Sequence, residues 1–263
     1  MLSTLKKKFL SQGVGSAEWS ALCSKRDHSE TLLKQDLIRI QGGYPIQYLI
    51  GSAAFLDHEF EVQEGVLIPR PETEAWFYEW CRREESFLRS AQRGLEIGVG
   101  SGILSVSLLS KFPELQMIAT DVSPIALATA QKNAKRILEK ADRLELVTVE
   151  DAQQILPKTL KNESFDFLIS NPPYLASTDP VAPPPFEPQK ALFAAHEDPL
   201  IFYETFGKEG WKLLRPGGRF VCEISEFQVD AILDRLKNSE WEALKPLRDL
   251  RGVIRAFSAI RRS

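Results

Sequence analysis

The chain has 263 residues, of which 43% are hydrophobic and 26% charged, and its formal net charge is −3. This length and composition fit one or two globular domains with an ample core, and the charge balance argues against a strongly basic nucleic-acid-binding face. The three cysteines form no CxxC pair, so we expect reduced thiols and no metal site. No apolar segment of the kind found in signal peptides follows Lys6–Lys8, and no apolar run approaches the ~18 residues of a membrane span, so we expect a cytoplasmic protein.

Residues 1–50 show helical spacing of apolar side chains, as at Leu2, Leu5 and Phe9, which predicts a small N-terminal helical domain. The segment 55–68 then alternates apolar and polar residues about Glu64–Gly65. This pattern predicts a β-hairpin, within a linker of residues 51–75.

From Arg93 onward the chain alternates short apolar strands with helical segments. Such alternation predicts an α/β fold with a mostly parallel, doubly wound sheet, which we assign to a domain of residues 76–263. A turn at 216–218 is expected to end a helix, and the tail predicts two closing strands around Arg251–Gly252.

A glycine-rich loop, "EIGVGSG" (Glu96–Gly102), ends the first strand of this domain. Glycines at 98, 100 and 102 permit a tight turn and let a ligand approach the backbone. The dinucleotide fingerprint would need a further glycine at position 103, which is Ile103. The loop therefore indicates a ligand other than a nicotinamide dinucleotide, or a plain tight turn.

Two acids follow the next strands. Asp121 ends the strand "IATD" and can accept hydrogen bonds from the two hydroxyls of a ribose, or it can cap the helix that begins at Ser123–Pro124. Asp151 follows the third strand and can take an adenine amino group, or be a solvated loop acid. Together with the glycine loop, the acids resemble the S-adenosylmethionine site of the Rossmann-like methyltransferases.

The sequence "NPPY" (Asn171–Tyr174) follows the fourth strand. The two prolines stiffen this tetrapeptide, which presents the side-chain oxygen of Asn171 and the carbonyl of Pro172 as acceptors. Two convergent acceptors suit an NH₂ group, and they orient its nitrogen toward an electrophilic methyl group. Tyr174 can stack on the planar group, although a plain proline turn has the same appearance.

NPPY resembles the motif of amino-directed S-adenosylmethionine methyltransferases. The segment Tyr44–Glu74, which includes "PRPETE", resembles the HemK/PrmC family, the release factor glutamine methyltransferases, as do "FEPQKAL" (Phe186–Leu192) and "RDLRGVIR" (Arg248–Arg255). The resemblance runs from about residue 44 to the C-terminus. It departs from the family at Pro183–Pro185, where a basic residue is common.

The resemblance implies an enzyme that methylates the N5 amide nitrogen of the glutamine in the Gly-Gly-Gln motif of class 1 peptide chain release factors, using S-adenosylmethionine. The residues that it assigns to the cofactor are Gly98, Val99, Gly100, Ser101, Gly102, Asp121, Asp151, Ala152 and Asn171. Those that it assigns to the substrate are Asn171, Pro172, Pro173 and Tyr174, with Asn171, Pro172 and Tyr174 catalytic. We expect a monomer, with the helical domain docking the release factor.

Two other functions are compatible with parts of the sequence. A DNA or RNA base amino-methyltransferase would use the same NPPY chemistry, but it predicts a basic groove, and the residues after 60 contain 26 Lys and Arg against 30 Asp and Glu. A non-catalytic binding protein on the same fold is expected to have lost the glycine loop, the ribose acid or NPPY, and the chain has all three.

Overall fold

The computed structural model of the chain describes residues 2–149, 160, 164–176, 184–193, 198–237 and 240–262. The N-terminal region consists of four helices: α1 (Leu2–Leu10), α2 (Ser16–Lys25), α3 (Glu30–Gln41) and α4 (Ile46–Ile50). Each helix buries apolar residues at helical spacing, as Leu5 and Phe9 do on α1. These side chains form a core with Val62 and Ile68 of the segment that follows the helices. The predicted helical character of this region is confirmed.

A two-stranded antiparallel hairpin follows, with strands β1 (Ser52–Phe55) and β2 (His58–Glu61). The sequence predicted a hairpin here, but its turn lies at Leu56–Asp57 and not at Glu64–Gly65, so the predicted position is wrong. The observed pairing places Phe55 and Phe60 in the buried cluster that also contains Trp76, Leu104 and Phe167, which we call the main core. The backbone N–H of Leu56 donates to Glu74 Oε2 (3.0 Å). These tertiary contacts stabilise a left-handed Leu56 (φ 50°), a conformation that its own sequence disfavours.

Two helices lie between the hairpin and the sheet, α5 (Pro71–Arg83) and α6 (Glu85–Ser90). Helix α5 begins with a proline at its first position, where the missing N–H costs nothing, and it carries Glu72 and Glu74 in its first turn. Its buried face presents Trp76 and Trp80 to the main core. The segment "PRPETE" therefore leads into a helix that has one buried face.

The central sheet has seven strands: β3 (Arg93–Ile97), β4 (Gln116–Asp121), β5 (Leu144–Thr148), β6 (Phe165–Ser170), β7 (Leu214–Glu223), β8 (Trp241–Arg248) and β9 (Ile254–Arg261). Their order is β5-β4-β3-β6-β7-β9-β8. The first five of these are mutually parallel, and β9 pairs antiparallel with both β7 and β8. The predicted mostly parallel α/β sheet and the closing strand pair are thus confirmed.

Strand β7 begins earlier than the sequence suggested. It starts at Leu214, and its register against β6 shifts between Leu214 and Arg219, so the expected turn at 216–218 is an irregularity within the strand. Gly217 adopts a positive φ of 75° there.

The remaining helices are α7 (Ile103–Lys111), α8 (Pro124–Ile137), α9 (Gln189–Leu192), α10 (Ile201–Glu209) and α11 (Val229–Leu236). Apolar side chains on these helices pack against the sheet in two buried clusters. Within the residues that the structure describes, no helix has the length and apolar character required to cross a membrane.

The segment between α4 and α5 belongs to two cores. Phe55 and Phe60 pack in the main core with Trp76, whereas Val62 and Ile68 pack in the N-terminal core. The hydroxyl of Tyr48 on α4 also donates to the carbonyl of Val66 (2.7 Å). The segment thus ties the helical region to the sheet domain on the side where the parallel strands end.

Candidate active site

The glycine loop connects β3 to α7, and its three glycines adopt left-handed backbone conformations. Gly98, Gly100 and Gly102 all have positive φ, with values of 79°, 53° and 86°. A Cβ at position 102 would also lie 3.2 Å from the Cβ of Ala130 on α8. Only glycine combines this conformation with this close packing at low cost, so the loop is fixed by backbone geometry and by α8.

Asp121 lies at the end of β4 and holds the glycine loop. Its Oδ2 accepts the backbone N–H of Gly100 and its Oδ1 accepts that of Ser123, both at 2.9 Å. Burial raises the pKa of Asp121, and these N–H donors oppose that shift. The cap of α8 is Ser123, whose Oγ accepts from the N–H of Ala126 (3.3 Å). Because a carboxylate has about four lone-pair sites, Asp121 retains acceptor capacity for a ligand.

Glu96 lies under the same loop and is 1% exposed. Its Oε2 accepts the backbone N–H of Ser105 (3.0 Å) and the Ser105 hydroxyl, in the first turn of α7. Burial raises the pKa of this carboxyl to about 8, with a smaller contribution from Asp121. The acid therefore ties β3 to the first turn of α7, and it is mostly protonated at neutral pH.

A cavity of about 490 Å³ opens at the carboxyl ends of β3, β4 and β6. This volume lies within the ~300–1,000 Å³ of typical small-molecule sites. One wall is the glycine loop with Asp121, and another is the segment after β6. Two further segments line it, residues 65–67 before α5 and residues 188–191 around α9, together with Phe202 of α10.

Several residues assigned from the sequence meet at this cavity. They are Gly98, Gly100, Asp121, Asn171, Pro172 and Pro173. Val99 and Ser101 instead line a cavity of about 40 Å³, which shares Gly98, Gly100 and Asn171 with the larger one. Gly102 packs on α8, and Asp151 and Ala152 lie outside the described residues.

An ion pair between a partly exposed arginine and a buried glutamate joins the chain next to two of the segments that line the cavity, residues 65–67 and 188–191. Glu187 is 4% exposed and accepts the backbone N–H of Ile68 (3.1 Å) and the guanidinium of Arg70 (2.5 Å). Breaking a buried pair by removing one partner is costly, because the other charge is left without compensation. The "FEP" segment is thereby fixed to "PRP", two motifs whose contact the sequence did not indicate.

The NPPY segment is anchored by a second buried acid, Glu223, at the end of β7. The Tyr174 hydroxyl donates to Glu223 Oε1 (2.9 Å), while Thr73 Oγ1 and Trp76 Nε1 both donate to Oε2 (2.6 Å each). Asn171 Nδ2 in turn donates to Thr73 Oγ1 (3.3 Å). Sequence reasoning missed Thr73, Trp76 and Glu223; the one local signal was an acid within the apolar strand "FVCEI".

Burial raises the pKa of Glu223, and the three donors oppose that shift. The pKa of Tyr174 is raised well above its usual value, chiefly by the neighbouring Glu223 charge and by burial. The tyrosine therefore acts as a hydrogen-bond donor that fixes its own ring.

The chain is similar to known methyltransferases. A model of the methyltransferase small domain matches residues 85–183. The release factor glutamine methyltransferase of Bacteroides thetaiotaomicron is 33% identical over 243 residues, covering 91% of this chain and 82% of the relative. The protein of the same name from Staphylococcus aureus is 33% identical over 237 residues, covering 86% and 80%.

Solved structures of methyltransferases share the fold. One from Pyrococcus furiosus matches with a TM-score of 0.57 and 19% identity, covering 88% of this chain and 100% of that one. The 16S rRNA N2 G1207 methyltransferase of T. thermophilus, solved with AdoMet and guanosine, has a TM-score of 0.54 and 18% identity, covering 80% and 50%. At these identities the likeness concerns the fold alone.

Proposed function

The chain belongs to the family of release factor glutamine methyltransferases, and from this premise we propose that it methylates the side-chain amide of a glutamine in a class 1 peptide chain release factor, with S-adenosylmethionine as methyl donor. The observation that carries the proposal is the position of Asn171 and Pro172. Both line the cavity that the glycine loop and Asp121 also line. Acceptors for an amide NH₂ therefore adjoin a site with nucleoside-binding features.

The cavity fits S-adenosylmethionine in size and chemistry. Asp121 has acceptor capacity left for the ribose hydroxyls after binding two backbone N–H groups. Positive-φ glycines at 98 and 100 let the ligand approach the backbone. Apolar side chains such as Val122 and Phe202 supply surfaces for an adenine ring. When bound, S-adenosylmethionine supplies an electrophilic methyl group.

The protein's part in the reaction is to orient a weak nucleophile. The nitrogen of an amide is a poor nucleophile because its lone pair is delocalised into the carbonyl group. In our proposal Asn171 Oδ1 and the Pro172 carbonyl accept the two N–H bonds of the substrate amide. As the new N–C bond forms and the bond from the methyl carbon to its sulfur leaving group breaks, positive charge develops on this nitrogen, and both acceptors would stabilise it. The nitrogen then loses a proton to water, so no base needs to act beforehand.

We also propose a division of labour along the chain. Residues 1–50 dock the release factor, and residues 51–75 link this region to the catalytic domain. Residues 76–263 hold the cofactor and carry out the methyl transfer. Ile38 on α3 is 68% exposed, so this apolar side chain is open to contact with a partner protein. The cavity lining begins only at Gly65.

The direct test uses the purified full chain with radiolabelled S-adenosylmethionine and three substrates: a class 1 release factor, duplex DNA and ribosomal RNA. We expect label on the release factor, and mass spectrometry should place one added methyl group on the glutamine of its Gly-Gly-Gln motif. A release factor with that glutamine replaced by alanine is the matched control. Label on a nucleic acid, with none on the release factor, would favour the base methyltransferase instead.

A further inference from the structure

The Glu223 carboxylate is a buried charge next to the NPPY segment. It is 2% exposed, and both of its oxygens accept hydrogen bonds, from the side chains of Tyr174, Thr73 and Trp76. These donors come from two parts of the chain, the first turns of α5 and the loop after β6. The carboxylate therefore joins α5 to the NPPY segment, whose Asn171 and Pro172 line the cavity.

The donors and acceptors fix one direction along this network. A threonine hydroxyl has a single proton, and that of Thr73 is committed to Glu223 Oε2 at 2.6 Å. Towards Asn171 the same oxygen can therefore only accept, which it does from Nδ2 at 3.3 Å. A flipped carboxamide would place two acceptors against each other. The hydrogen-bond chain Asn171–Thr73–Glu223 thus selects one orientation of the amide, which keeps Oδ1 out of this contact.

The negative charge of Glu223, at one end of this series of hydrogen bonds, has a second effect. Hydrogen bonds in series polarise one another, more strongly where water is excluded, and Thr73 is fully buried. A carboxylate at one end makes the Thr73 oxygen a better acceptor, and this in turn makes Asn171 Oδ1 more negative. A tie between α5 and β7 alone would need no charge, and burying one costs free energy.

We propose that Thr73 and Glu223 are positioning residues that orient and polarise the Asn171 carboxamide for the methyl transfer. This rests on the proposed function, in which Asn171 Oδ1 accepts from the substrate amide. Neither residue contacts the substrate in this scheme. Both act through Asn171, so they affect the rate of transfer more than the binding of either substrate.

The kinetic test compares Thr73→Val, which keeps the shape of the side chain, with Thr73→Ser, which keeps the hydroxyl. In single-turnover methylation of a release factor at saturating substrates, Thr73→Val should lower the rate about ten- to a hundredfold, which is less than loss of the direct acceptor. Thr73→Ser should stay within about threefold, and both variants should keep the cofactor affinity and the KM of the wild type within about threefold. Thr205→Val is the matched control, because its hydroxyl donates to Ile201 within α10.

A double-mutant cycle and an amide spectrum complete the test. Glu223→Gln removes the charge, and its effect on the rate should be non-additive with that of Thr73→Val if both act through one chain. The ¹⁵N–¹H signal of the Asn171 side chain, assigned by its absence in Asn171→Asp, should change in Thr73→Val and Glu223→Gln but not in Thr73→Ser.

These readouts separate the two proposals. If the wild type does not methylate a release factor, the proposed function fails, and the amide spectrum still decides whether Thr73 and Glu223 orient Asn171. An unchanged Asn171 signal in Thr73→Val would overturn the inference. A rate within threefold of wild type, or additive losses in the cycle, would overturn it as well.

Discussion

Glu96 makes the stability of this protein depend on pH in a direction that can be measured. Its carboxyl lies under the glycine loop, and burial raises its pKa from the ordinary 4.5 to about 8. In the unfolded chain the same group ionises near 4.5, so the folded state binds more protons between these values. The stabilisation is therefore complete below about pH 4.5 and is lost as the pH rises towards 8.

The size of the effect follows from the shift. At about 1.4 kcal/mol per pH unit, the interval from 4.5 to about 8 amounts to roughly 5 kcal/mol of unfolding free energy. Glu96→Gln keeps the shape and an acceptor for Ser105, but it does not ionise. The free energy of unfolding of the variant, relative to that of the wild type, should rise by about this amount between pH 4.5 and 8.

Urea denaturation at a series of pH values measures this difference, and subtraction of the two curves cancels the titration of other groups. Glu114→Gln, at an exposed position before β4, is the matched control, because it removes a carboxyl group that is open to solvent. Parallel curves for Glu96→Gln and the wild type would refute the argument, because they would mean that Glu96 has the same pKa in both states.

Three further outcomes are expected. Asp121→Ala removes the proposed acceptor for the ribose hydroxyls and frees the N–H of Gly100. Calorimetry should therefore show at least about tenfold weaker cofactor binding, and unchanged affinity would contradict the assignment. Asn171→Ala should slow single-turnover methylation about 10²–10³-fold, and the rate of Asn171→Asp should fall between those of the Ala variant and the wild type; an Ala variant within threefold of the wild type would mean that NPPY only shapes the cavity. The one proton of Thr73 already serves Glu223, so an ionised aspartate at position 171 would face the Thr73 oxygen with no proton between them, and the activity of the Asp variant should increase as the pH is lowered. Ile38→Glu on the exposed face of α3 should raise the KM for the release factor about five- to tenfold without changing cofactor affinity, whereas a loss of cofactor binding would contradict the proposed docking role.

Ile38→Glu tests docking better than removal of residues 1–50, because the linker packs against the N-terminal helices. Removal of residues 1–50 would expose Val62 and Ile68, which belong to the N-terminal core. A truncated chain would therefore test stability together with docking.

Periodicity and motif spacing were sufficient to predict much of this protein. The alternation of apolar strands and helices after Arg93 predicts the parallel sheet, because each element must bury one face against its neighbours. Since parallel strands end at the same edge, residues that follow β3, β4 and β6 must lie near one another. Gly98, Asp121 and Asn171 do line one cavity.

The hairpin shows where local pattern was insufficient. Glu64–Gly65 is the better turn by residue type, and the chain does bend there, with the N–H of Val66 bonded to the carbonyl of Gln63 (3.1 Å). The strands pair about Leu56 instead, and this register buries Phe55 and Phe60 together in ring contact. Burial in a core formed by distant segments outweighed the local turn preference.

The partners of the site residues were decided by tertiary structure alone. Glu223 meets Thr73 from 150 residues earlier in the chain, and Glu187 meets Arg70 from 117 residues earlier. Sequence showed each acid only as a charge beside apolar residues. Which donors compensate a buried charge depends on where folding brings other segments, and a contact at such separation leaves no periodic signal in either segment.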